Sequence, residues 1–195
     1  PYSETVPTTL EFPGIQRIIG TPGELTYARD IHRYMKALAA AAPERARIIP
    51  MGETEEGREM LVIAIASEEI MSELDTYRDY LHELTDPRST SETRARELQE
   101  LARPIYWITT GLHSGERGGP EMTMELAYRL IVDESDFIRG IRENVITFIT
   151  PVLEVDGRER MVDTYYFDEA QDSLWEAEGR EGNPPRLPLV YWGKY

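Results

Sequence analysis

The 195 residues are 41% hydrophobic and 29% charged, the proportions of one globular domain with a real core. Lys and Arg number 21 against 36 Asp and Glu, and the resulting formal charge of −15 repels phosphate backbones and anionic membranes, which sets nucleic acid aside as a partner. No cysteine is present, so disulfides, thiolate metal sites and cysteine nucleophiles are excluded together, and no apolar run is long enough to cross a bilayer, so membrane insertion is not expected.

Residues 1–20 read as an irregular lead-in rich in Pro, Thr and Gly, with neither the basic start nor the apolar core of a signal peptide. Thr21-Pro22-Gly23-Glu24 carries the marks of a helix start, with Thr21 as N-cap and Glu24 closing a capping box. Leu25, Ala28, Ile31, Met35, Leu38, Ala39 and Ala42 then recur at helical spacing until Pro43. Two strands are predicted next. Ala46–Met51 contains Pro50, which suits a sheet edge. After a polar turn over 52–57, residues 58–67 are apolar on both faces, as in a strand buried between helical layers.

Residues 68–103 read as a helical hairpin. Asp86-Pro87 breaks it, and Ser89 with Glu92 offers a second capping box. A short hydrophobic strand, Pro104–Thr110, is expected to be central and buried; a helix from about Glu121 to residue 133 follows it. A helical piece near 136–143 leads to another core strand over 144–153, which makes strand–helix–strand a parallel crossover. Glu154–Gly157 then reads as a turn, and residues 163–178 as acidic, aromatic and only faintly helical. The loop from Gly179 to Pro188 precedes a final aromatic run, Val190–Tyr195. The fold class is α/β: a mixed, largely parallel sheet with helices on both faces. Residues 21–195 form the amino-terminal part of a single domain, since an aromatic terminus with nothing after it is expected of an unfinished fold.

Chemistry concentrates between Pro104 and Glu121. His113 and Glu116 lie three residues apart, just past a strand and ahead of a helix, and both are suitable zinc donors. Gly111 and Gly115 supply freedom for the chain to turn between them. A His-x-x-Glu pattern alone is a common surface pair; its place outside the carboxyl end of a strand in an α/β sheet is where ligands gather. The remaining histidines, His32 and His82, fall on predicted helices ahead of the sheet and read as ordinary helix residues.

Four segments, in order, resemble the zinc carboxypeptidases of the M14 metallopeptidase family: Tyr27–Pro43 with Arg47-Ile48-Ile49, the turn Gly52–Arg58, Gly111-Leu112-His113-Ser114-Gly115-Glu116, and Thr150–Gly157. The resemblance implies a carboxypeptidase-like sheet, zinc as the metal, peptide or protein C-termini as substrate, and His113 and Glu116 as the first two metal ligands. It also implies a third ligand, a later His, and a general base, a late Glu; neither has a matching position here, and no histidine follows His113. Both are expected beyond Tyr195, so the remainder of the catalytic domain is needed to complete the site, and the chain alone is expected to be inactive.

Family members often carry Arg between the two ligands, where this chain has Gly115; Arg117, just beyond, is the candidate substrate-binding residue. Glu154-Val155 stands where the family has Asn-Pro before Asp156-Gly157, and Asp156 reads as a turn residue. Two other readings share these features: an amidohydrolase of the aspartoacylase type, and a peptidase-like binding module without catalysis. The turn ending in Gly57-Arg58 and the Asp156-Gly157 segment favour the peptidase.

Overall fold

The computed structural model describes residues 2–8, 15 and 17–186, so the aromatic run predicted over Val190–Tyr195 lies outside the described residues. Among the described residues four strands form one sheet in the order β1-β2-β4-β3: β1 Ala46–Glu53, β2 Glu59–Ile65, β3 Ile105–Thr109 and β4 Ile146–Thr150. β1 and β2 are an antiparallel hairpin with a register shift between Pro50 and Gly52, and β1 takes the edge that its proline suits. β2 pairs antiparallel with β4, placing Ile63 opposite Ile149, and β3 pairs parallel with β4. The mixed α/β architecture is as expected, but antiparallel pairings outnumber the parallel one. The expectation of a largely parallel sheet is corrected accordingly.

Helices cover both faces. On one side α1 (Ala28–Ala41) and α5 (Gly118–Val132) pack Ile31, Met35, Leu38, Met124 and Ile131 against Leu61, Ile63 and Ile149. On the other, Ile70 and Met71 of α2 (Glu68–Ser72) and Leu74 of α3 (Leu74–Thr85) meet Ala64 and Ile146. β2 therefore has both faces covered, as its continuous apolar run implies. The helical excursion continues through α4 (Glu92–Leu101), which Ser91 caps by accepting from Arg94 N at 3.2 Å. The cap is thus two residues later than the one expected at Ser89, whose hydroxyl donates instead to Asp86 O.

Three expectations are overturned. The first helix starts at Ala28, seven residues after Thr21, because long-range partners hold residues 24–27 extended. Thr26 N donates to Glu121 Oε1 at 2.6 Å, Leu25 N to the Tyr166 hydroxyl, and Arg158 Nε to Thr26 O at 3.0 Å. Glu159, rather than a local cap, accepts from Arg29 N at 2.8 Å and places a carboxylate at the positive end of α1. Second, among the described residues β3 is an edge strand and not a central one, and it is not buried: Ile105, Tyr106 and Trp107 are 40%, 64% and 53% exposed. Third, the segment from Glu154 onward is a single helix, α7 (Val155–Ala177). It buries Val155, Gly157, Arg158, Glu159 and Val162 and nothing beyond, which is why its outer turns show no amphipathic period. A further helix, α6 (Asp136–Asn144), bridges α5 and β4 as expected.

Candidate metal centre

β3 delivers its chain to the sheet's carboxyl end, where Gly111 turns it with φ +63°, a conformation that favours glycine. A Cβ at Gly111 would also press on Pro120 at the start of α5. Gly115 has no positive φ and open space around it, so the freedom expected of both glycines is used only at Gly111. His113 to Glu116 then form a tight turn closed by Glu116 N donating to His113 O at 2.9 Å.

Within that turn the side chains divide. Ser114 points inward and is 2% exposed. His113 and Glu116 point outward, with side chains 69% and 51% exposed, and their donor atoms converge: His113 Nδ1 lies 2.9 Å from Glu116 Oε1. Hydrogen bonds from the His113 ring and the His113 amide hold the Glu116 carboxyl below the usual range, so it is an anion at neutral pH. An imidazole and a carboxylate meeting at one solvent-facing point are a donor set that suits zinc, so these two residues fit the metal. No third donor joins them, for no group of three His, Cys, Asp or Glu among the described residues lies close enough to hold an ion.

The other histidines stay apart from this pair. His32 is buried on α1 beside Lys36 and Glu59, and burial pushes its pKa down to about 4, which keeps it neutral. His82 is an exposed residue in the last turn of α3. Arg117 sits one residue past Glu116 with its guanidinium stacked 5.0 Å from the Tyr165 ring centre. It lines a cavity of about 400 Å³ together with Gly115, Arg160, Tyr165, Asp168 and Arg186.

Two residues around the site had no role visible in the sequence. Glu154 accepts from Ser114 Oγ at 2.6 Å and from Gly157 N at 3.0 Å. Asp156, read as a turn residue, sits in the first turn of α7 and accepts from Thr54 Oγ1 at 2.8 Å, Arg58 Nη1 at 2.7 Å and Glu56 N at 3.3 Å. Segments 52–58 and 154–157, a hundred residues apart, are therefore one hydrogen-bonded structure. Their appearance as a pair of motifs was the available signal.

A strand-end turn thus presents His113 and Glu116 to solvent from a mixed α/β sheet. The family model described as zinc carboxypeptidase matches residues 31–184, most of the chain, and the chain belongs to that M14 peptidase family. No curated protein matches the sequence. Among solved structures, the chain is similar to thrombin-activatable fibrinolysis inhibitor at 16% identity and TM-score 0.48, covering 73% of this chain and 28% of that one. Carboxypeptidase A from Helicoverpa armigera gives 15% identity and TM-score 0.48, over 87% of this chain and 30% of that one. Bovine thrombin-activatable fibrinolysis inhibitor, in complex with tick carboxypeptidase inhibitor, gives 12% and 0.44, over 87% and 39%. The chain thus spans between 28% and 39% of the length of these structures.

Proposed function

We propose that this chain supplies the first two zinc ligands, His113 and Glu116, of a metallocarboxypeptidase that removes residues from the C-terminal end of peptides. One observation carries the reading: the convergence of His113 Nδ1 and Glu116 Oε1 at the carboxyl end of β3 in a chain of the zinc carboxypeptidase family. When bound, zinc supplies Lewis-acid polarisation of a carbonyl and a water of lowered pKa. The residues here do the holding. Glu116 brings a carboxylate already ionised, and His113 brings an imidazole whose orientation that carboxylate fixes. In the neighbouring cavity Arg186 is paired with Asp172 and Arg160 with Glu56, which leaves Arg117, stacked on Tyr165, as the candidate partner for a peptide carboxylate.

The third ligand and the general base come from outside these residues, so the isolated chain binds zinc weakly and does not hydrolyse peptides. Zinc titration of the chain, followed by calorimetry, is the test. Wild-type protein should show saturable binding that His113→Ala and Glu116→Ala abolish; binding unchanged by both substitutions removes the half-site. Turnover of a peptide C-terminus by the isolated chain would show that the site needs nothing more.

A further inference from the structure

The ligand-bearing turn has no packing of its own on its outer side, since both His113 and Glu116 face solvent. What fixes the direction in which they face is the residue between them. Ser114 is anchored inward by a single polar contact, its hydroxyl donating to Glu154 Oε2 at 2.6 Å, a charge-assisted bond of the short, strong kind. The other carboxylate oxygen of Glu154 accepts the Gly157 amide at 3.0 Å at the start of α7. The main chain adds two rungs: Leu153 N donates to Thr110 O at 2.9 Å and Glu154 N to Gly111 O at 3.0 Å. Gly157 makes room for this arrangement, because a Cβ there would overlap both the Glu154 carboxylate and the Ser114 hydroxyl.

We propose that Glu154 is a positioning residue for the metal-binding turn, holding Ser114 inward so that His113 and Glu116 present their donors to a common point. The inference rests on the zinc-ligand reading of His113 and Glu116. Residues 113–116 form a one-turn loop, and rotating it about the chain exchanges inward and outward side chains. The Ser114–Glu154 bond opposes that rotation, and it ties the turn to the end of β4 and the first turn of α7. Through Asp156, two residues on, the same helix start also holds the 54–58 turn. Outer partners that orient metal ligands are worth about 10- to 100-fold in metal affinity.

The test is zinc affinity of the full 195-residue chain by calorimetry at a temperature where each variant is folded, with thermal unfolding of the metal-free proteins measured in parallel. Glu154→Ala and Ser114→Ala should each weaken zinc binding by about tenfold or more. Glu154→Gln, whose amide oxygen still accepts a hydrogen bond, should restore most of it. A merely structural role would lower the unfolding temperature and leave the zinc dissociation constant of the folded protein unchanged, and that result overturns the proposal. Should Glu154→Ala fail to fold, Ser114→Ala decides alone, since it deletes one hydroxyl. His113→Ala is the reference. If it loses zinc while Ser114→Ala and Glu154→Ala keep it, positioning is wrong and the ligand reading stands. If His113→Ala binds as wild type, the ligand reading itself has failed and the proposal with it.

Discussion

β2 and β3 are both short, apolar strands of the same sheet, and their surroundings are opposite. Leu61, Val62, Ile63, Ala64 and Ile65 of β2 are at most 2% exposed, sandwiched between α1 and α5 on one face and α2 and α3 on the other. β3 stands at the sheet's edge with Tyr106 and Trp107 more than half exposed; Trp107 is fastened chiefly through its indole N–H to Thr150 Oγ1 at 2.9 Å and an edge contact with Phe148. The candidate metal centre grows from the exposed strand and not from the buried one. A buried floor and an open rim are thus separated: β2 and β4 lie in the core, while β3 leads to the exposed turn that carries His113 and Glu116.

That contrast can be broken from several directions. Arg158 is 1% exposed under the site and joins Glu121 Oε1, Thr26 O and Arg117 O. Arg158→Ala removes the nearest cation from the buried Glu121 carboxylate, leaving it Thr26 and, at 3.9 Å, Arg17, and should cost about 3–5 kcal/mol in urea unfolding. If it costs less than about 1 kcal/mol, the buried Arg158–Glu121 pair beneath the exposed turn is not a source of stability. Ile63→Ala in β2 opens a cavity between the two helical layers and should cost about 2–5 kcal/mol by the same measurement.

His32 tests the floor by pH. Its folded pKa of about 4 is depressed from 6.5 by burial, so the unfolded chain binds the extra proton first. Stability from this residue is fully present above pH 6.5 and is lost as pH falls towards 4, on the order of 3 kcal/mol across the window. His32→Gln, which cannot take up that proton, should flatten this part of the pH profile; an unchanged slope would place the titration elsewhere.

The smallest effect belongs to β3. Tyr106→Lys should change unfolding free energy by no more than about 0.5 kcal/mol. It should also lower light scattering of concentrated protein, because a charge on an open apolar edge blocks strand-to-strand association. A loss comparable with that of Ile63→Ala would erase the difference between the two strands.

What local chemistry dictates was readable before any fold was known. The i, i+3, i+4 spacing of Ile31, Met35 and Leu38 marks the buried face of α1, and the two-sided apolar run marks β2 as a covered strand. Pro50 marks an edge, and the His113–Glu116 spacing after a strand marks a turn whose two side chains meet at 2.9 Å. In each case neighbours in sequence decide the outcome. Features set by distant partners were not readable in this way. The start of α1 is held by Glu159 and by the residues that keep 24–27 extended, all far along the chain. β3 has the composition of a buried strand, yet strand order in the sheet leaves it at the rim. Glu154, a single acid in an expected turn, acquires its contact with the 113–116 turn only when β4 and α7 bring it beside Ser114, forty positions away in the chain. Periodicity and turn chemistry act within a few residues; edge position, desolvation and the anchoring of a site depend on which surfaces meet once the chain has folded.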